Sequence, residues 1–153
     1  MKPLRSVLRD LERARKAGKK IVFTNGCFDL IHSGHARILK QAKNLGDVLV
    51  VALNSDASVR RLKGPSRPIL SLKERAELIE CLKPVDYVVS FSEDTPFNII
   101  RKIRPHILIK GGDWKGGTIV GGDVVRKEGG KVVSGLFVKG RSTSQIIGKI
   151  RGR

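Results

Sequence analysis

The run Asn25-Gly26-Cys27-Phe28-Asp29-Leu30-Ile31-His32-Ser33-Gly34-His35 concentrates side chains able to do chemistry. Two imidazoles, His32 and His35, flank Gly34 where a segment of helical apolar spacing begins. A helix amino terminus carries unpaired backbone N–H groups, Gly34 lets an anion approach, and each imidazole can donate a hydrogen bond, so the segment reads as a phosphate cradle. Lys43 lies eight positions beyond His35, about two turns along the helix, and is expected to return to the same face of the site. The same spacing admits a metal pair, although no third ligand stands at suitable spacing, and it admits a purely structural turn. Neither a Walker phosphate loop nor GxGxxG after the first strand occurs.

Positioning this segment requires a framework, and short apolar runs alternate with helical patterns along the chain. Lys20–Thr24, Val48–Leu53, Tyr87–Phe91, Ile107–Ile109 and Lys131–Val133, extended to Val138, read as buried strands rich in Val and Ile. Helices are predicted for His35–Leu45, Leu72–Leu82, Pro96–Ile103, Gly122–Glu128 and Ser142–Ile150, and Leu4, Val7, Leu8 and Leu11 mark one more within Met1–Lys20. This alternation predicts an α/β fold, a parallel five-stranded sheet with helices on both faces. Such sheets bind ligands outside the carboxyl ends of their strands, which directs attention to the loops Asn25–Gly34, Asn54–Pro68, Ser92–Thr95 and Lys110–Gly122.

With 153 residues, 40% of them hydrophobic and 29% charged, the chain has the composition of one globular domain. We divide it into a basic amino-terminal helix, residues 1–19, and a domain over residues 20–153. Lys and Arg number 31 against 14 Asp and Glu, a net charge of +17, which favours polyanionic partners. The amino terminus lacks the apolar core of a signal peptide and no apolar run is long enough to span a bilayer. Cys27 and Cys81 show no CxxC or zinc spacing, as expected of reduced thiols in a cytoplasm.

The run TNGCFDLIHSGH closely resembles the signature of the HxGH nucleotidyltransferases, whose fold is Rossmann-like and doubly wound. The resemblance continues through Lys43, Asn54-Ser55-Asp56, the block NSDASVRRLKGPSRPI, Lys110-Gly111-Gly112-Asp113-Trp114 and Ser142-Thr143-Ser144. Within the family the chain is most similar to the nucleotidyltransferase part of the ADP-heptose synthases. Glycerol-3-phosphate cytidylyltransferases share the cradle but carry an arginine-threonine pair before the closing serine, where this chain has Phe137-Val138-Lys139-Gly140-Arg141.

The resemblance implies transfer of AMP from ATP to D-glycero-β-D-manno-heptose 1-phosphate, with in-line attack on the α-phosphorus and release of pyrophosphate. The acceptor phosphate is already an anion, so alignment and charge neutralisation suffice. His32, His35 and Lys43 would be catalytic. Cys27, Phe28, Gly111, Gly112, Asp113, Ser142 and Thr143 would join the histidines in holding the nucleotide. Asn25, Asp29, Arg61, Lys63, Arg75 and Lys110 would take the acceptor. Trp114 would flank the nucleotide pocket or shield the core. Mg²⁺ is expected to arrive with ATP.

Two other functions are weighed against this one. Cytidylyl transfer to glycerol 3-phosphate or another sugar or polyol phosphate uses the same cradle. A basic nucleic-acid-binding module suits the charge, but aromatics are only 5% and no reader motif occurs, so nucleic acid is not expected as a partner. A homodimer is a family expectation. The chain has no room for a sugar kinase, so a separate heptose kinase is expected to supply the acceptor.

Overall fold

The structure is a computed structural model that describes residues 1–111, 119–135 and 142–152. In chain order its elements are α1 (Leu4–Lys16), β1 (Ile21–Gly26), α2 (Ser33–Lys43), β2 (Val48–Asn54), α3 (Asp56–Lys63), α4 (Leu72–Glu80), β3 (Tyr87–Phe91), α5 (Phe97–Ile103), β4 (Ile107–Gly111), α6 (Gly122–Lys127), β5 (Lys131–Gly135) and α7 (Thr143–Ile150). The expected extension of the last strand to Val138 lies outside the described residues.

Strand alternation decides which side chain feeds which core. Ile21, Phe23, Val48, Val50, Ala52, Val89 and Leu108 point to one face, where α1, α5 and α6 cover them with Val7, Leu11, Ile100, Ile103 and Val125. Val22, Leu49, Val51, Leu53, Val88 and Ile109 point to the other, beneath Ile38, Leu39 and Ala42 of α2 and Ala76 and Ile79 of α4. Because α1 contributes Val7 and Leu11, both essentially unexposed, residues 1–19 share a core with the rest of the chain.

All five strands run parallel in the order β3-β2-β1-β4-β5. The chain winds outward from β1 to β3, then crosses back to β4, so the order reverses between β1 and β4. β1 matches β2 along its whole length, Ile21 opposite Val48 through Gly26 opposite Leu53. It pairs with β4 only at Val22–Ile107 and Phe23–Leu108, and the two strands part toward their carboxyl ends. That opening is where a doubly wound sheet binds its ligand.

The segment after β2, read from sequence as a basic loop, is the helix α3. Ser55 caps it by accepting from the Ser58 N–H at 3.2 Å, Asp56 sits in its first turn, Arg60, Arg61 and Lys63 in its last, and Gly64 ends it at φ +94°. Each of these suits a helix dipole and its unpaired ends. A capping box between Ser71 and Glu74 then starts α4.

Arg75, in the first turns of α4, is wholly buried. Its Nε donates to the Leu70 carbonyl (3.1 Å), Nη1 to Cys27 O (2.6 Å), and Nη2 to Asn54 O (2.9 Å) and Asp56 Oδ1 (2.7 Å). One guanidinium thereby joins the loop after β1, the end of β2, the start of α3 and the approach to α4. The sequence-based assignment of Arg75 to the acceptor is corrected by this geometry, because its donors are spent on backbone carbonyls and Asp56 behind the site. Arg75→Met is expected to cost about 3–5 kcal/mol, the range for removing one partner from a buried ionic network, measured as the shift in a denaturant unfolding curve.

Candidate active site

A cavity of about 630 Å³ opens at the carboxyl ends of β1 and β4. Its floor is Asn25, Cys27 and Phe28 from β1 and the loop that follows, with His32, Gly34 and His35 from the start of α2. Lys63 and Arg67 approach from one side, Lys110 and Gly111 from β4, and Ser142, Thr143 and Ser144 from the start of α7. Two helix amino termini, those of α2 and α7, thus open on one space.

Local geometry fixes the cradle. Phe28 adopts φ +46°, a left-handed turn unusual for a bulky residue, and its ring lies 4.8 Å from that of His35. Gly26 leaves room for that ring, since a Cβ there would stand 3.0 Å from Phe28 Cε2. His32 is the N-cap of α2 and its Nδ1 accepts from the Gly34 N–H at 3.1 Å. With Nδ1 an acceptor, the neutral tautomer of the ring carries its proton on Nε2.

The two imidazoles stack with centroids 3.8 Å apart and planes 22° from parallel. Burial, and then the proximity of His32, lower the His35 pKa to about 4 against a weak opposing effect of the Leu30 carbonyl. His35 is therefore neutral at physiological pH, and among the described residues its buried Nδ1 has no hydrogen-bond partner. Such a ring offers a directed hydrogen bond instead of a fixed charge.

Positive charge comes from elsewhere. Lys110 Nζ donates to Asn25 Oδ1 (3.1 Å) and Asn25 O (3.4 Å) where β1 and β4 part, and its burial lowers its pKa. Burial raises the pKa of the Cys27 thiol, while Lys63, Arg75, Arg67 and Lys110 pull it down. Four cations thus act on one point of the cavity wall. At α7, Ser142 Oγ accepts from the Gln145 N–H at 3.2 Å and Thr143 Oγ1 donates to the Leu30 carbonyl at 3.4 Å. Ser142 is thus the helix cap, and Thr143 docks α7 on the histidine loop.

Three further sequence-based assignments need correction. Lys43 does not return to the site, because eight residues of helix carry it about 12 Å from His35. Its amine is held at the opposite edge of the sheet by the Asp47 carbonyl (2.6 Å) and Asp86 Oδ2 (2.5 Å). Arg61 is engaged by Asp94 Oδ1 (2.7 Å) and the Ser92 carbonyl (2.6 Å). On a helix, positions two apart face different ways, so with Lys63 lining the cavity Arg61 does not. Asp29 lines the cavity, but its carboxylate accepts from the Ile69 and Leu70 N–H groups and from Arg67 Nε. Burial pushes its pKa up, but those hydrogen bonds outweigh burial and hold it below the usual carboxylate value.

The remaining assigned residues within the described chain, Asn25, Cys27, Phe28, His32, His35, Lys63, Lys110, Gly111, Ser142 and Thr143, all line the cavity. Gly112, Asp113 and Trp114 lie outside the described residues. Sequence reasoning missed Arg67, Asn54 and Thr95, which also line it. Arg67 stood inside the block that carried the family resemblance, but nothing in its spacing marked it. Among the described residues no three His, Cys, Asp or Glu side chains form a metal-binding group.

The His35 geometry predicts a pH effect. Unfolded chain takes up a proton on this imidazole near pH 6.5, the folded chain only near 4. The unfolded state thus binds more protons in between, and stability falls as pH drops through that window. Denaturant titrations from pH 7 to 4 should show this decline, and His35→Gln should flatten it.

The cytidylyltransferase-like family model matches residues 23–128. The bifunctional protein HldE of Syntrophotalea carbinolica is 56% identical over 151 residues, 98% of this chain and 31% of the relative. That of Geobacter metallireducens is 55% identical over 140 residues, 92% of this chain and 29% of the relative. The chain thus spans about a third of the length of these curated relatives. A lipopolysaccharide core biosynthesis protein from Thermoplasma volcanium superposes with TM-score 0.66 at 33% identity, covering 78% of this chain and 98% of that one. A pantoate-beta-alanine ligase from Francisella tularensis shares the fold, with TM-score 0.57 at 16% identity over 90% of this chain and 67% of the ligase. The family-model match, which takes in the cradle and the switch point of the sheet, and the near-complete coverage of the Thermoplasma protein establish that the chain belongs to the cytidylyltransferase-like family.

Proposed function

We propose that the chain transfers AMP from ATP to D-glycero-β-D-manno-heptose 1-phosphate, releasing pyrophosphate and forming ADP-heptose. One observation carries the reading: a stacked histidine pair, with His35 neutral, and two helix amino termini share a cavity with Lys63, Arg67 and Lys110. Anions are drawn to helix amino termini and to clustered cations, and in-line phosphoryl chemistry asks chiefly for alignment and charge neutralisation. Identity to the HldE proteins and to a lipopolysaccharide core biosynthesis protein supports the heptose acceptor.

In this reading His32 donates from Nε2 to the triphosphate, and His35 stabilises charge on the oxygen that leaves with pyrophosphate. The α7 terminus, through Ser142 and Thr143, holds the outer phosphates. Cys27, Phe28 and Gly111 take the nucleoside, a role that the family resemblance also gives Gly112 and Asp113. Asn25, Lys63 and Lys110 face the acceptor. Asp29 is satisfied by the Ile69 and Leu70 amides and by Arg67 of the segment before α4, and the other carboxylate on the described wall, Asp94, is paired with Arg61. The donor set therefore suits a Mg²⁺ carried by phosphate oxygens, which would neutralise charge on the triphosphate.

The setting follows the same reading. No helix among the described residues is long and apolar enough to cross a membrane, and both cysteines are free, in keeping with action in the cytoplasm. A homodimer is the working assembly, and a heptose kinase acts upstream.

Cytidylyl transfer to glycerol 3-phosphate is the competing activity, favoured by the description of the matching family model. Pyrophosphate release with ATP or CTP, crossed against heptose 1-phosphate and glycerol 3-phosphate, separates the two. ATP with heptose 1-phosphate is expected to turn over fastest. Activity confined to CTP with glycerol 3-phosphate would overturn the proposal.

A further inference from the structure

Arg67 is the cavity-lining cation that no motif singled out. Its side chain is 12% exposed, and it contacts Asp29 through Nε alone at 2.5 Å. Arginine and carboxylate commonly meet fork to fork, through two parallel N–H···O bonds. Here the contact is side-on, and among the described residues neither terminal nitrogen of Arg67 has a hydrogen-bond acceptor. The guanidinium is a planar cationic fork of N–H donors.

The pair is more than a latch. Asp29 already accepts from the backbone amides of Ile69 (2.8 and 3.0 Å) and Leu70 (3.0 Å), and Arg75 holds the Leu70 carbonyl from the other side. The segment between α3 and α4 is closed onto the histidine loop without Arg67. What Asp29 adds for Arg67 is direction: bonded at Nε, the guanidinium is fixed in its plane with both terminal amines spare. Lys63 and Lys110 line the same cavity, and the electrostatic influence of all three cations converges on Cys27.

We propose that Arg67 anchors the phosphate of the acceptor through its terminal amines, and that Asp29 is the positioning residue that aims it. This deepens the proposed function and rests on it for the identity of the acceptor. A lysine cannot replace the arrangement, because one ammonium cannot be held by Asp29 from the side and still present a planar pair of donors to phosphate.

The test uses Arg67→Gln, Arg67→Lys and Asp29→Asn in the full chain. The expected result is a rise of about 10- to 100-fold in KM for heptose 1-phosphate in both Arg67 variants, the scale of a lost charge-assisted hydrogen-bonded contact. The KM for ATP should change by less than about threefold, and Asp29→Asn should give a smaller rise of the same selectivity. An unchanged acceptor KM, full rescue by lysine, or parallel loss of ATP affinity and thermal stability would overturn the proposal. Calorimetric titration with inorganic phosphate, in the presence of a non-hydrolysable ATP analogue, provides a readout independent of turnover. Weakened phosphate binding in Arg67→Gln supports the anchor even if heptose 1-phosphate is not turned over, a result that would overturn only the choice of acceptor. Phosphate binding equal to that of the unsubstituted chain would overturn the anchor.

Discussion

The buried guanidinium of Arg75 is the contact on which the arrangement of the cavity depends. The carboxyl edge of a parallel sheet is where chain segments turn away from the ladder, and carbonyls there lose their strand partners. Buried backbone acceptors without donors are costly. Arg75 supplies donors to Cys27, Asn54 and Leu70 carbonyls at once and neutralises its own charge against Asp56. A lysine has neither the number nor the planar spread of donors to do this. The segment from Gly64 to Ser71, which carries Arg67, is thus fixed relative to the histidine loop by side chains buried beneath it.

A second constraint is electrostatic. The cavity wall collects Lys63, Arg67 and Lys110, yet His35 on the same wall is held neutral by burial and by the neighbouring His32. Fixed cations serve anionic groups that are present before and after reaction. Neutral donors serve charge that builds up only as a bond breaks, and preorganised donors act most strongly where water is excluded. The division matches the proposed transfer between two phosphorylated substrates.

The sheet was legible because its signals were local. Val48–Asn54 is buried at every position, and an uninterrupted apolar run is the mark of a parallel strand covered on both faces. The histidine cradle and the Ser142 cap were legible for the same reason, each being a short run at a helix start. The helix α3 was not read, although Ser55, Asp56 and Gly64 punctuate it, because only Ser58 and Val59 of its eight residues are buried and its charged remainder resembles a loop. Missing that helix put Arg61 and Lys63 on one side, a pairing that helical geometry forbids. Lys43, Asp29 and Arg75 were misassigned through their partners. Asp86, Ile69 and Asn54 lie 43, 40 and 21 positions away in the chain, and a spacing rule carries no information about contacts made by the fold.

The proposed transfer is a single displacement, carried out by alignment and charge neutralisation with no covalent enzyme intermediate. The stereochemical course at the α-phosphorus tests this most directly, using ATP made chiral there with sulphur and isotopic oxygen and heptose 1-phosphate as acceptor. Direct in-line attack predicts inversion of configuration in the nucleotide sugar. Retention would require two successive displacements through a nucleotidyl-enzyme intermediate, and would contradict the role assigned to every residue of the cradle.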